Sequence, residues 1–279
     1  MTRRTFIPST GLGAAAVLAG QEKTIQRKGR LKQSVCRWCY QKIPIEDLAR
    51  EAARLGLVAM DLVPQSEWEP VRKNGLRLTV VPGPTTIPDG LNRKENHDQI
   101  ETKMKTMIAD AKTAGAHSII VFSGNRRGMS DEEGLDNTVL GLNRLTKMAE
   151  DTGVLIVMEL LNSKVNHKDY MCDHTPWGVE AIKRVNSPMV RLLYDIYHMQ
   201  IMEGDVIRTI RDNHQYIAHY HTGGVPGRNE IDQSQELYYP AIAEAIVETG
   251  YKGYFAHEYI PKRLEPIKSL AQGVDLCDV

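Results

Sequence analysis

The sequence lacks an excess of charge of either sign: 35 Lys and Arg are matched by 35 Asp and Glu, so the formal net charge is zero. Proteins that hold a phosphate backbone usually carry a basic surplus, so no nucleic-acid partner is expected. Cysteine is scarce, with four in the chain at Cys36, Cys39, Cys172 and Cys277. The pair in Cys36-Arg37-Trp38-Cys39 has the spacing of a redox motif, but such motifs work at a helix N-terminus. Here the pair falls on or just after an expected strand, where residues three apart face opposite ways. Neither a local disulfide nor a shared zinc is expected there. No Gly-x-Gly-x-x-Gly follows the first strand-like run, which weakens an open dinucleotide-type sheet. Long apolar runs are also missing: the Ala- and Gly-rich segment 11–20 is too short to span a bilayer.

That short segment has another reading. It follows Thr2-Arg3-Arg4-Thr5-Phe6-Ile7, giving the layout of a signal peptide: a charged start, a short apolar stretch and small residues before a cut. The paired arginines resemble a twin-arginine export signal. The expected organisation is therefore a leader and a polar linker over residues 1–30, then one domain over 31–279. The mature protein is expected in the periplasm or otherwise exported, without stable membrane insertion once the signal is removed. A cytoplasmic protein with an irregular N-terminus is the alternative.

What is present is an alternation. Short apolar runs at 34–40, 58–63, 76–81, 118–122, 154–161, 190–195, 217–221 and 253–259 read as eight strands. Between them, apolar residues at helical spacing read as helices over 45–55, 99–114, 135–152, 177–185, 205–213 and 239–249, several stopped by glycine. The segments 90–99 and 163–175 read as polar loops. Eight strands alternating with helices in a chain of this length predict an α/β fold, a closed (β/α)8 TIM barrel.

Four of these runs end in groups that are costly to bury alone: Glu159, Asp195, His221 and Glu258. In a barrel the ends of consecutive strands are neighbours, so the four form one arc. Any one of the carboxylates alone reads equally well as an ion pair with a loop. Three carboxylates crowded together repel one another, and one divalent ion removes that repulsion. An oxygen and nitrogen donor set suits Mn, Mg, Co or Zn. His219 shares a strand face with His221 but lies further from the strand end. His257 faces away from Glu258 and is expected to be structural. Around the arc, His198 is expected on the loop after Asp195, placed to bond a substrate oxygen. Arg228 offers a planar two-pronged donor. Trp38 and Tyr40 are expected to wall the site, with Asn125 and Arg126 reaching in from the fourth strand.

Several segments carry a resemblance. They are Ser34-Val35-Cys36-Arg37-Trp38-Cys39-Tyr40, Phe122-Ser123-Gly124-Asn125-Arg126, Glu159-Leu160-Leu161-Asn162, Asp195-Ile196-Tyr197-His198-Met199-Gln200, Thr222-Gly223-Gly224-Val225-Pro226-Gly227-Arg228-Asn229-Glu230 and Glu258-Tyr259-Ile260-Pro261. Together they resemble the xylose-isomerase-like barrel superfamily and, within it, the hydroxypyruvate isomerase family. The resemblance implies one divalent ion held by Glu159, Asp195, His221 and Glu258. It implies Glu159 and Glu258 as the acid/base pair, and His198 and Arg228 on substrate oxygens. Ketose epimerases of the superfamily often carry a second glutamate six residues after the first; here that position is Val165.

The implied partner is a small carbohydrate or keto acid, and a homo-oligomer is a further expectation. The implied reaction converts hydroxypyruvate to tartronate semialdehyde, or isomerises an aldose and ketose, through an enediolate. The alternatives are a 3-keto-glycoside eliminase or a ketose epimerase on the same metal site, a DNA-repair endonuclease, and a barrel that binds without catalysis.

Overall fold

The computed structural model describes residues 24–279. The expected leader and the start of the linker, residues 1–23, lie outside the described residues.

Nine parallel strands form one nearly closed barrel. They are β1 (Lys32–Cys36), β2 (Ala59–Asp61), β3 (Arg77–Leu78), β4 (Val80–Val81), β5 (Ser118–Val121), β6 (Leu155–Glu159), β7 (Val190–Asp195), β8 (Ile217–Thr222) and β9 (Tyr254–His257). Their order is β3-β2-β1-β9-β8-β7-β6-β5-β4. The ends of that order, β3 and β4, are two pieces of one stave interrupted at Thr79. Thr79 N donates to Met60 O at 3.1 Å and Leu62 N donates to Val80 O at 2.7 Å, which carries the ladder across the break. The eight expected strands are thus eight staves, one of them broken.

Around the barrel run α1 (Ile45–Arg54), α2 (Trp68–Lys73), α3 (His97–Ala114), α4 (Asp131–Thr152), α5 (Thr175–Val185), α6 (Ile196–Met202), α7 (Val206–Asn213), α8 (Tyr239–Glu248) and α9 (Pro266–Leu276). Local chemistry sets their ends. Ser130 caps α4, its side chain accepting from Glu133 N, and Asp131, Glu132 and Glu133 fill the first turn, where negative charge complements the helix dipole. On α1 the apolar stripe Ile45, Leu48, Ala49 and Ala52 is buried. None of the helices among the described residues is long and apolar enough to cross a membrane.

Four expectations need correction. The first strand stops at Cys36, and residues Arg37–Tyr40 form a 3-10 turn. The helix α2 was not expected; its Glu69, Arg72 and Lys73 obscure a periodicity that only Val71 buries. The loop over 90–99 is shorter, because α3 starts at His97. The loop expected after Asp195 is instead the helix α6, which begins at the next residue. The part of the linker that is described, 24–30, is tied down. Ile25 N donates to Arg54 O, and Arg30 pairs with Glu244 at 2.8 Å.

The main core lies between sheet and helices. A second, smaller cluster of Val80, Ile120, Val157 and Leu193 is buried separately. Strand alternation places Val157 on the same face as Glu159 and Leu193 on the same face as Asp195, so this cluster fills part of the barrel lumen. Full burial of each such side chain contributes about 1.5–3 kcal/mol. The rest of the lumen is polar, with Ser34, Asp61, His219 and His221 all buried.

Candidate metal centre and active site

The polar side of the lumen is arranged in two layers. In the lower one, Asp61 accepts from Ser34 Oγ at 2.5 Å and from Thr79 Oγ1. His219 Nε2 lies 2.5 Å from Asp61 Oδ2, and His221 Nε2 lies 3.4 Å from the same oxygen. Burial would raise the Asp61 carboxyl, but His219 and His221 beside it hold it well below the usual carboxylate range.

In the upper layer, the C-terminal strand ends bring Glu159, Asp195, His221 and Glu258 together, each with a donor atom within 4.8 Å of the others'. His221 Nδ1 is 2.6 Å from Glu258 Oε2, 3.5 Å from Glu159 Oε1 and 4.0 Å from Asp195 Oδ2. This nitrogen is buried without a hydrogen bond of acceptable geometry. His221 is steadied by Asp61 from the far side while its Nδ1 faces three carboxylates. A carboxylate behind a histidine is the kind of support that orients a metal ligand, and the donor set fits one divalent ion.

A cation of the chain, Arg228, crowds the same carboxylates. Arg228 Nη2 reaches Asp195 Oδ2 at 2.5 Å and also contacts Glu258 Oε2. Its guanidinium lies over the Tyr197 and Trp38 rings, at 4.9 and 5.9 Å from their centroids. Trp38 Nε1 donates to Glu258 Oε1 at 2.5 Å.

The environment separates the carboxylates. Burial pushes the Glu159 carboxyl up to about 7 although His221 pulls against it. Burial also raises Asp195, to about 6, against the pull of Arg228. Burial would raise Glu258 too, but Arg228 and His221 hold it well below its ordinary value. Burial would lower His221, yet Glu258 raises it well above the ordinary imidazole value.

His198 sits in the first turn of α6, not on a loop. Its Nδ1 accepts from Asn162 N at 3.1 Å and faces Asn162 Nδ2 at 2.6 Å. The Asn162 amide is fixed the other way round by Val165 N and Asn166 N, which donate to its Oδ1. A neutral His198 therefore carries its proton on Nε2, which stands 2.8 Å from Arg228 Nη1. Two donors face each other there.

A cavity of about 700 Å³ opens over these groups and is lined by Trp38, Glu159, His198, Arg228 and Glu258 among others. Asn125 is not brought to it: its backbone O accepts from Asn92 and its backbone bridges to Tyr170. Arg126 is likewise engaged elsewhere, pairing with Asp173 and Asp131 to fasten the 163–175 loop. Tyr40 is buried in the main core rather than at the site. His257 bonds Gln33 at 2.8 Å, away from the cluster.

Sequence reasoning missed Asp61, Asn162, Tyr197 and His167, the last two of which line the cavity. For Asp61 the signal was available, since it is one more carboxylate closing an apolar strand. The role of Asn162 depends on loop geometry that no spacing encodes.

A parallel barrel with a carboxylate–histidine cluster on its C-terminal rim is the class of protein that fold and site define. The sequence profile of the family described as Xylose isomerase-like TIM barrel matches residues 47–278, and the chain belongs to that family. Among curated relatives, a protein of Homo sapiens provisionally named a hydroxypyruvate isomerase is 26% identical over 233 residues, covering 81% of this chain and 78% of the relative. A 2-oxo-tetronate isomerase of Pectobacterium atrosepticum is 24% identical over 238 residues, covering 80% and 89%. A solved structure of the IOLI protein with a binding zinc atom aligns with a TM-score of 0.71 at 16% identity, over 88% of this chain and 98% of that one.

Proposed function

We propose that the chain is a divalent-metal-dependent isomerase of the hydroxypyruvate isomerase type. It moves a proton between adjacent carbons of a sugar or keto acid through an enediolate. The observation that carries this reading is the buried His221 Nδ1, left without a proper hydrogen bond at the point where Glu159, Asp195 and Glu258 converge. The isomerase names of the two curated relatives support the reaction class.

A divalent ion held by Glu159, Asp195, His221 and Glu258 would supply the Lewis acidity that makes a C–H beside a carbonyl removable. The chain's own residues do the rest. Glu258 is the carboxylate that Arg228, His221 and Trp38 hold ionised, so it is the better placed base. Glu159, the other carboxylate of the set that borders the cavity, returns a proton at the neighbouring carbon. His198 and Arg228 orient the substrate oxygens. Val165, where superfamily epimerases often have glutamate, gives the cavity hydrocarbon instead, which ranks isomerisation ahead of epimerisation. Export by the twin-arginine route is part of the proposal, tested by whether residues 1–30 carry a fused reporter across the inner membrane.

The test is solvent deuterium incorporation beside the carbonyl, followed by NMR, for hydroxypyruvate and free ketoses with Mn, Mg, Co and Zn in turn. Metal-dependent exchange with at least one substrate is expected. Tight metal binding with no exchange for any sugar-like hydroxyketone would overturn the reading.

A further inference from the structure

The cavity has a second wall that this reaction does not use. Beside the polar groups it is lined by Leu62, Pro82, Ile87, Ile120, Phe122 and Val165. These come from the ends of β2, β4, β5 and β6. Thr85 also borders this wall, but its hydroxyl oxygen already accepts from Phe122 N at 2.8 Å. The wall tolerates no larger side chain at Gly83, where a Cβ would sit 1.8 Å from Ile120 O. Val165 and Ile260, which border the cavity, remain 68% and 43% exposed. These apolar groups at the rim have nothing over them.

Size and charge narrow what fits. At about 700 Å³ the cavity is in the range that takes drug-sized ligands, and a three-carbon acid fills a small part of it. Hydroxyls of a free ketose placed against this wall would give up water without gaining a partner. A substrate carboxylate fares no better. Among the described residues that line the cavity, Arg228 is the one lysine or arginine, and it is already engaged by Asp195 and Glu258. With Asp61 beneath them, the carboxylates outweigh one guanidinium and one divalent ion, so the loaded site exerts no net pull on an anion.

We propose that this wall is a subsite for the non-reacting half of the substrate, and that this half is an aryl or branched alkyl group. The preferred substrate is then a neutral, sugar-like hydroxyketone bearing such a group, rather than a small keto acid or a free ketose. The inference rests on the metal-dependent proton transfer proposed above.

The experiment uses the Mn-loaded protein and two matched pairs, D-fructose with 6-O-benzyl-D-fructose and D-psicose with 6-O-benzyl-D-psicose, with hydroxypyruvate alongside. Deuterium exchange beside the carbonyl gives kcat/KM for each. In at least one pair the benzylated member should exceed its parent by about tenfold or more, as burial of a ring predicts. Hydroxypyruvate should fall below both. Val165→Asp, at an exposed position that does not threaten folding, should shrink the benzyl-to-parent ratio, and Phe122→Ala should shrink it further.

Exchange that favours hydroxypyruvate or the parent sugars overturns the subsite and leaves the isomerase reading standing. Absence of exchange with every probe overturns both. A ratio untouched by Val165→Asp, together with a change in sedimentation mass, assigns the apolar rim to contact between copies of the chain and overturns the proposal.

Discussion

The lumen of this barrel has two unlike halves. Along β4 to β7 it is filled by Val80, Ile120, Val157 and Leu193, a close-packed apolar plug. Along β8, β9, β1 and β2 it holds His219, His221, Ser34 and Asp61, buried just as deeply. Both halves are buried and both are formed by alternate residues of short parallel strands. They differ in what each leaves unsatisfied. The apolar half demands nothing beyond shape. The polar half satisfies Asp61 from several sides and then leaves His221 Nδ1 facing three carboxylates. The lesson is that burial of polar groups does not define a site. A site begins where the network has a ligand-shaped gap that opens onto a cavity.

That contrast can be broken by substitution. Glu258→Gln, on the polar side, should keep the fold and lower kcat by about 10²–10⁴-fold, the usual contribution of a positioned acid or base. Circular dichroism and the exchange assay check the two parts, and full activity would remove Glu258 from the chemistry. Leu193→Ala, on the apolar side, should do the reverse, lowering unfolding free energy by about 2–5 kcal/mol while metal affinity holds. Denaturant titration and calorimetric metal binding measure these, and a large loss of affinity would show that the halves are not separable.

Asp61→Asn probes the lower polar layer. Removing an outer carboxylate from a metal-binding histidine typically costs 10–100-fold in affinity, about the loss expected here by competition with a chelator. An unchanged affinity would mean that Asp61 serves the fold alone.

The smallest effect is set by pH. Glu159 is held up to about 7 and His221 is raised well above its usual value, so the metal-free cluster carries protons that an ion must displace. Affinity should therefore fall as pH drops below about 7, by about tenfold per unit for each proton released. Affinity that stays flat between about pH 6 and about pH 8 would contradict the raised values.

The two halves also differ in how far they could be read beforehand. The staves were legible because apolar runs bounded by turn residues recur at regular intervals, and the four upper-layer residues were legible because each closes such a run. His198 was placed on the wrong kind of element. Ile196, Tyr197 and Met199 suit a strand continuation, a loop or a helix start, and it is the Asp195 cap that decides among them. Asn125 looked from the sequence like a strand-end group, but it does not line the cavity. The apolar wall was invisible, since it is assembled from scattered residues in and after four separate strands. In a linear sequence, none of those residues is distinguishable from ordinary core.

One carboxylate in this architecture holds two jobs with its two oxygens. Asp195 Oδ1 accepts from His198 N at 3.1 Å and starts α6, while Oδ2 faces the cluster. Anything that tugs on one oxygen is transmitted to the helix that presents Tyr197 and His198. Under the proposed function, filling the cluster and aiming His198 would draw on the same side chain, and a change at this aspartate would disturb both together.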